Sequence, residues 1–205
     1  MENNFETRLA KTCSYLFHPL LMPLYSLQML LIIHSQLNLF LPLKTKIILL
    51  AITFIFTALL PALNIFLLVK TKFISNVFLE QRKERTLAYI AAILFYLSEY
   101  YLLKEVELFS IPRLLILGAT ISLVLAFCIN FFWQISTHAI GVGGLIGATL
   151  ALLSKINATA IIPLLILIAG LVSFSRLKLN AHTPAQVYCG FLLGLLSEWL
   201  VFLYP

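Results

Sequence analysis

The chain has 205 residues, 61% of them hydrophobic and only 11% charged. A soluble globular chain carries about a quarter charged residues, so this one lacks the polar surface to cover a water-facing core. Its net charge is +6, from fourteen Lys and Arg against eight acids, all of them Glu. The basic residues form no long stripe, which points away from nucleic acid and toward anionic lipid headgroups or phosphate groups.

Apolar residues come in long blocks. Taken in chain order, the expected spans run over about 14–41 (interrupted by His18-Pro19 and Pro23), 46–69 (with Pro61 inside it), 86–103, 111–133, 138–154, 158–175 and 183–204. Each is long enough, or nearly so, to cross the hydrocarbon core as a helix. Runs such as Ile47-Ile48-Leu49-Leu50-Ala51-Ile52 are apolar all round, whereas a membrane strand alternates apolar and polar residues. The expected fold is all-α, a polytopic transmembrane helix bundle of about six to seven spans, forming a single domain over 1–205. The first block follows Arg8 and Lys11, is too long for a signal core and lacks a clear cleavage site, so it reads as a retained span. A bacterial inner membrane is the expected location.

Gly143 with Gly147 and Gly190 with Gly194 have the small-xxx-small spacing that lets helix backbones approach closely. Cys13, Cys128 and Cys189 have no metal or redox spacing and read as single packed thiols. His18 and His34 read as structural or interfacial residues. Glu99 and Glu198, beside Tyr100-Tyr101 and Trp199, read as interfacial anchors near span ends. The Asn157-Ala158-Thr159 sequon falls in a tight turn between spans and is discounted.

Polar residues concentrate in a basic loop (Lys70–Lys72 through Arg82-Lys83-Glu84-Arg85), at Ser136-Thr137-His138, and at Ser175-Arg176, Lys178 and His182. Two spans separate each site from the next, which puts all of them on one membrane face, where they can converge. That face holds nine of the fourteen Lys and Arg, a bias toward the cytoplasm. Without Arg82, Arg85 and Arg176 the count is six to five, which decides nothing.

Ser175-Arg176, five residues, His182, three residues and Gln186 resemble the third signature of the type-2 phosphatidic acid phosphatase family, where the last position is Asp. Ser136-Thr137-His138 is similar to the second signature, usually Pro-Ser-Gly-His. Arg82-Lys83-Glu84-Arg85 lies where the first is expected, usually Lys, six residues, Arg-Pro. The resemblance implies a lipid phosphatase fold. It gives His182 as nucleophile, His138 as acid/base, and Arg176, Arg85, Arg82, Ser136 and Ser175 as phosphate-binding residues. The physical reading agrees with it. Guanidinium forks suit phosphate oxygens and stay charged. Ser136 can add a hydroxyl and a backbone N–H where a helix begins. Two histidines can divide nucleophilic attack and proton transfer. Such chemistry needs no metal or other cofactor, and the partners implied are a phosphorylated lipid and the bilayer.

Several positions depart from the family pattern. Gln186 can orient the His182 ring but cannot supply the negative charge of Asp. Thr137 replaces Gly, Ile135 replaces Pro, Thr86 follows Arg85, and Phe78 stands seven residues before it. Other readings stay open. Arg82, Lys83 and Arg85 can form a headgroup-facing loop, and Arg176 and Lys178 can be snorkelling anchors. The whole chain can be a family member that binds or transports a phosphorylated lipid without hydrolysing it, or a purely structural membrane protein.

Overall fold

The computed structural model describes residues 5–33, 41–77, 79, 81–106, 109–152 and 159–204. His34, Glu80, Asn157 and Ala158 lie outside the described residues, as does most of the expected first span beyond Ile33. Among the described residues all regular secondary structure is helical. Helices α1 (Phe5–Leu16) and α2 (Met22–Ile33) are joined through a 3₁₀ turn, Pro19–Leu21. Helix α3 (Leu43–Phe54) passes through a π turn, Ile55–Leu59, into α4 (Leu60–Lys70). Then follow α5 (Arg82–Lys104), α6 (Ser110–Asn130), α7 (Thr137–Leu152), α8 (Ile162–Lys178) and α9 (Pro184–Leu203).

Among the described residues, five segments are long and apolar enough to cross a bilayer: Phe5–Ile33, Leu43–Lys70, Arg82–Lys104, Ser110–Asn130 and Pro184–Leu203. Helix α7 is a shorter apolar helix. The chain is a multi-pass membrane protein, with exposed apolar side chains such as Ile47, Phe66 and Leu67 available to lipid.

The prolines act differently from one another. Pro23 is the second residue of α2, where a missing N–H costs nothing, so it starts a helix rather than interrupting one. Pro61 removes an N–H and crowds the carbonyl four residues earlier, that of Thr57. The π turn widens the helix at that point, and the Leu60 N–H bonds back to Ile55 O. The break in the first segment comes at His18, whose Nδ1 accepts the Leu20 N–H at 3.3 Å and caps the 3₁₀ turn.

The centre of the bundle is the α7–α9 pair. A Cβ at Gly143 would overlap the Phe191 carbonyl, one at Gly147 the Leu195 carbonyl, and one at Gly194 the Ile140 carbonyl. Backbone therefore lies on backbone, as the glycine spacing suggests. Helices α5 and α6 pack together, and α1 packs on α8, where Glu6 pairs with Lys178.

Glu99 and Glu198 correct the interfacial expectation. Glu99 is fully buried and accepts the Thr53 hydroxyl at 2.6 Å. Glu198 is 3% exposed and fills space left by Gly118 and Gly144. Both do lie near helix ends, but their side chains point between helices, and sequence position does not disclose that facing.

Candidate active site

Helix ends build the site. Helix α8 closes with Asn180 in the left-handed conformation (φ 52°). Asn180 N–H bonds Leu177 O at 3.0 Å, and Ala181 N–H bonds Arg176 O at 3.1 Å. This paired helix stop fixes Arg176 relative to His182, six residues on. Helix α9 then opens with a reciprocal cap: Thr183 Oγ accepts the Gln186 N–H, and Gln186 Oε1 accepts the Thr183 N–H at 2.9 Å. Pro184 occupies the first turn, and His182 sits at the mouth of the helix.

The same Gln186 Oε1 lies 3.2 Å from His182 Nδ1. A carbonyl oxygen only accepts, so the Nδ1 of the ring carries a proton that it donates to Gln186, and the Gln134 backbone makes a further hydrogen bond to the ring. Burial, and then the charges of Arg176 and Arg85, push the His182 pKa down to about 4. The ring is therefore neutral at physiological pH and can act as a nucleophile.

Arg85, His138, Arg176 and His182 line one cavity of about 640 Å³. Lys11, Ser14 and His18 from the N-terminal segment line it too. Among the described residues that line it there is no carboxylate. Arg85 Nε donates to the Leu79 carbonyl at 3.1 Å, while its Nη1 is buried with no partner among the described residues. Arg176 Nη1 donates to Ser14 Oγ at 3.1 Å, while its Nε is buried with no partner among the described residues. Buried guanidinium N–H groups without acceptors are costly. A phosphate dianion would satisfy both and neutralise the local charge.

From Arg85 the cavity follows α5 through Tyr89 and Ala92 to Tyr96, about 16 Å at 1.5 Å per residue. Pro19, Pro61, Ile65 and Leu123 add apolar lining to the cavity. The site is thus cationic where the helix ends meet and apolar toward the bundle interior.

Three expected phosphate ligands are placed elsewhere. Ser136 is fully buried; its hydroxyl accepts the Ala139 N–H at 3.4 Å and its own N–H goes to Gln186 O at 3.3 Å. It caps α7 and docks it on α9, so neither group expected to cradle oxygen faces the cavity. Ser175, also fully buried, turns its hydroxyl back to Leu171 O at 2.6 Å. Arg82 is exposed and lies outside the cavity lining. Its carbonyl instead takes the Asn130 side-chain N–H at 3.1 Å, which pins the start of α5 to the end of α6.

His18, read from sequence as structural, lines the cavity, with its ring edge-to-face on His138 at 5.6 Å between centroids. The signal available was the interruption at His18-Pro19, which turns the chain at the site.

Residues 128–205 match the family model of the PAP2 superfamily. The matched stretch contains Ser136–His138 and Ser175–Gln186, while Arg85 and the N-terminal segment fall before it. No curated protein and no solved structure matches the chain significantly.

Proposed function

We propose that the chain is a member of the type-2 phosphatidic acid phosphatase superfamily, and that it hydrolyses a phosphate monoester or pyrophosphate of a membrane lipid through a phosphohistidine on His182. Phosphatidic acid, phosphatidylglycerol phosphate and a polyprenyl pyrophosphate are the candidate substrates. The family match supports phosphatase chemistry on phosphate esters in general. The observation that carries the finer reading is the joining of two half-satisfied guanidiniums, a neutral histidine and an apolar recess in one cavity.

The chemistry follows from that arrangement. Arg85 and Arg176 hold the phosphoryl oxygens and offset the charge that builds in the transition state. His182 Nε2 attacks phosphorus, an N–P bond forms, and the P–O bond to the lipid breaks. A proton taken up with the phosphate dianion passes from His138 to the leaving oxygen. Water then attacks phosphorus, its proton passes to His138, and the N–P bond breaks to release phosphate and neutral His182. The apolar recess along α5 takes the first part of the lipid tail while the headgroup stays at the helix ends.

Phosphate release from a panel of lipid phosphates by purified protein tests this reading, with His182→Ala as control. Release that vanishes in the variant supports it. No release above the variant, from folded protein that still binds those lipids, rejects it. Neutral Gln186 at the Asp position favours one second reading, a member that binds or moves a phosphorylated lipid. That outcome would leave it standing.

A further inference from the structure

Residues 5–33 lie outside the stretch that matches the family, yet they reach the centre of the site. Ser14 makes two contacts there. Its hydroxyl accepts from Arg176 Nη1 at 3.1 Å, and its backbone carbonyl lies 3.2 Å from His138 Nε2. The ring of His18, one helical turn further along, packs edge-on against His138.

We propose that Ser14 is a positioning residue that sets both the phosphate-binding arginine and the acid/base histidine, so that His138 works through Nδ1. This rests on the phosphatase reading above. A carbonyl oxygen only accepts, so the proton facing Ser14 sits on His138 Nε2. The nitrogen left to exchange a proton with substrate and water is Nδ1. The His18 ring edge holds the plane of His138, and His18 is itself fixed because its Nδ1 accepts the Leu20 N–H. The segment Ser14 through Leu20 thus aligns two groups that the sequence places at the starts and ends of other helices. The Ser14 hydroxyl also leaves Arg176 Nε directed to other acceptors, since one of its forks is already occupied.

The test uses the full chain in detergent with orthovanadate as a phosphate mimic. Wild type, Ser14→Ala and Ser14→Thr are compared by direct binding and by ring-nitrogen NMR of His138. Loss of a hydrogen bond to a charged group is expected to weaken vanadate binding about 10-fold or more in Ser14→Ala, and Thr, which keeps the hydroxyl, restores it. Where turnover is measurable, KM rises more than kcat falls. The NMR spectrum of the wild type shows His138 protonated on Nε2 in the free protein. Equal vanadate affinity in wild type and Ser14→Ala overturns the proposal, as does a Thr variant no better than Ala, or a His138 ring protonated on Nδ1. Wild-type protein that binds no vanadate but shows the Nε2 proton instead rejects the phosphate-site reading on which the proposal rests.

Discussion

Gln186 Oε1 accepts two hydrogen bonds at once, from Thr183 N–H at 2.9 Å and from His182 Nδ1 at 3.2 Å. One amide oxygen therefore both caps α9 and sets the tautomer of the candidate nucleophile. It supplies orientation without charge. Gln186→Asp adds the missing charge beside a ring that becomes positive on phosphorylation. In the serine-protease triad, neutralising the corresponding Asp costs about 10⁴ in rate. Turnover by Gln186→Asp is expected to exceed wild type about tenfold or more, with Gln186→Ala below wild type. A steady-state assay of the three proteins reads this directly, and an Asp variant slower than wild type contradicts the role given to this residue.

Arg82 and Arg85 are three residues apart, yet only Arg85 lines the cavity. Arg85→Ala is expected to weaken phosphate or vanadate binding about 10- to 100-fold, the worth of charge-assisted hydrogen bonds. Arg82→Ala is expected to change it less than about twofold, because an exposed side chain away from the site contributes little. Binding isotherms on the two variants check this, and equal losses would mean that the loop acts only as a diffuse cation.

His182 has its pKa pushed from 6.5 to about 4 by burial and then by Arg176 and Arg85. The unfolded chain thus binds more protons at this group than the folded one between those values. Its contribution to stability is complete above pH 6.5 and is lost as pH falls toward 4. Thermal unfolding followed over that window should show a steeper acid loss in wild type than in His182→Gln. Vanadate, by neutralising the guanidiniums, should raise the His182 titration midpoint in an NMR titration. An unchanged midpoint would separate the arginines from the histidine.

The glycines of the α7–α9 contact make a packing prediction. A Cβ at Gly194 meets the Ile140 carbonyl, part of a backbone that cannot move away without separating the helices. Among the described residues, nothing lies within 4 Å of a Cβ added at Gly170. Gly194→Ala should lower the unfolding temperature and the yield of monodisperse protein. Gly170→Ala should match or exceed wild type, since Ala gains up to about 1 kcal/mol of helix propensity over Gly. Similar behaviour of the two variants would contradict the close helix contact.

Much of this was legible in the residues. Block hydrophobicity gave an all-helical membrane fold, and the Gly143/Gly147 and Gly190/Gly194 spacings marked the helices that touch. The spacing from Arg176 to Gln186 carried the family resemblance. Facing was not legible. Ser136 and Ser175 lie beside the residues that line the cavity, but a helix start and a helix interior turn their hydroxyls to backbone groups. Glu99 and Glu198 read as interfacial because position along a helix is visible in sequence and rotation about it is not. His18 and Ser14 were missed for another reason. Their partners, His138 and Arg176, are more than 100 residues away in the chain, and no local pattern joins them.

The most direct test is to quench turnover of a ³²P-labelled lipid phosphate in alkali, where phosphohistidine survives, and to map the label by peptide mass spectrometry. The account expects acid-labile label on the peptide carrying His182, absent from His182→Ala. Phosphate release without any labelled His182, or label of equal amount in His182→Ala, would contradict a covalent intermediate at this residue.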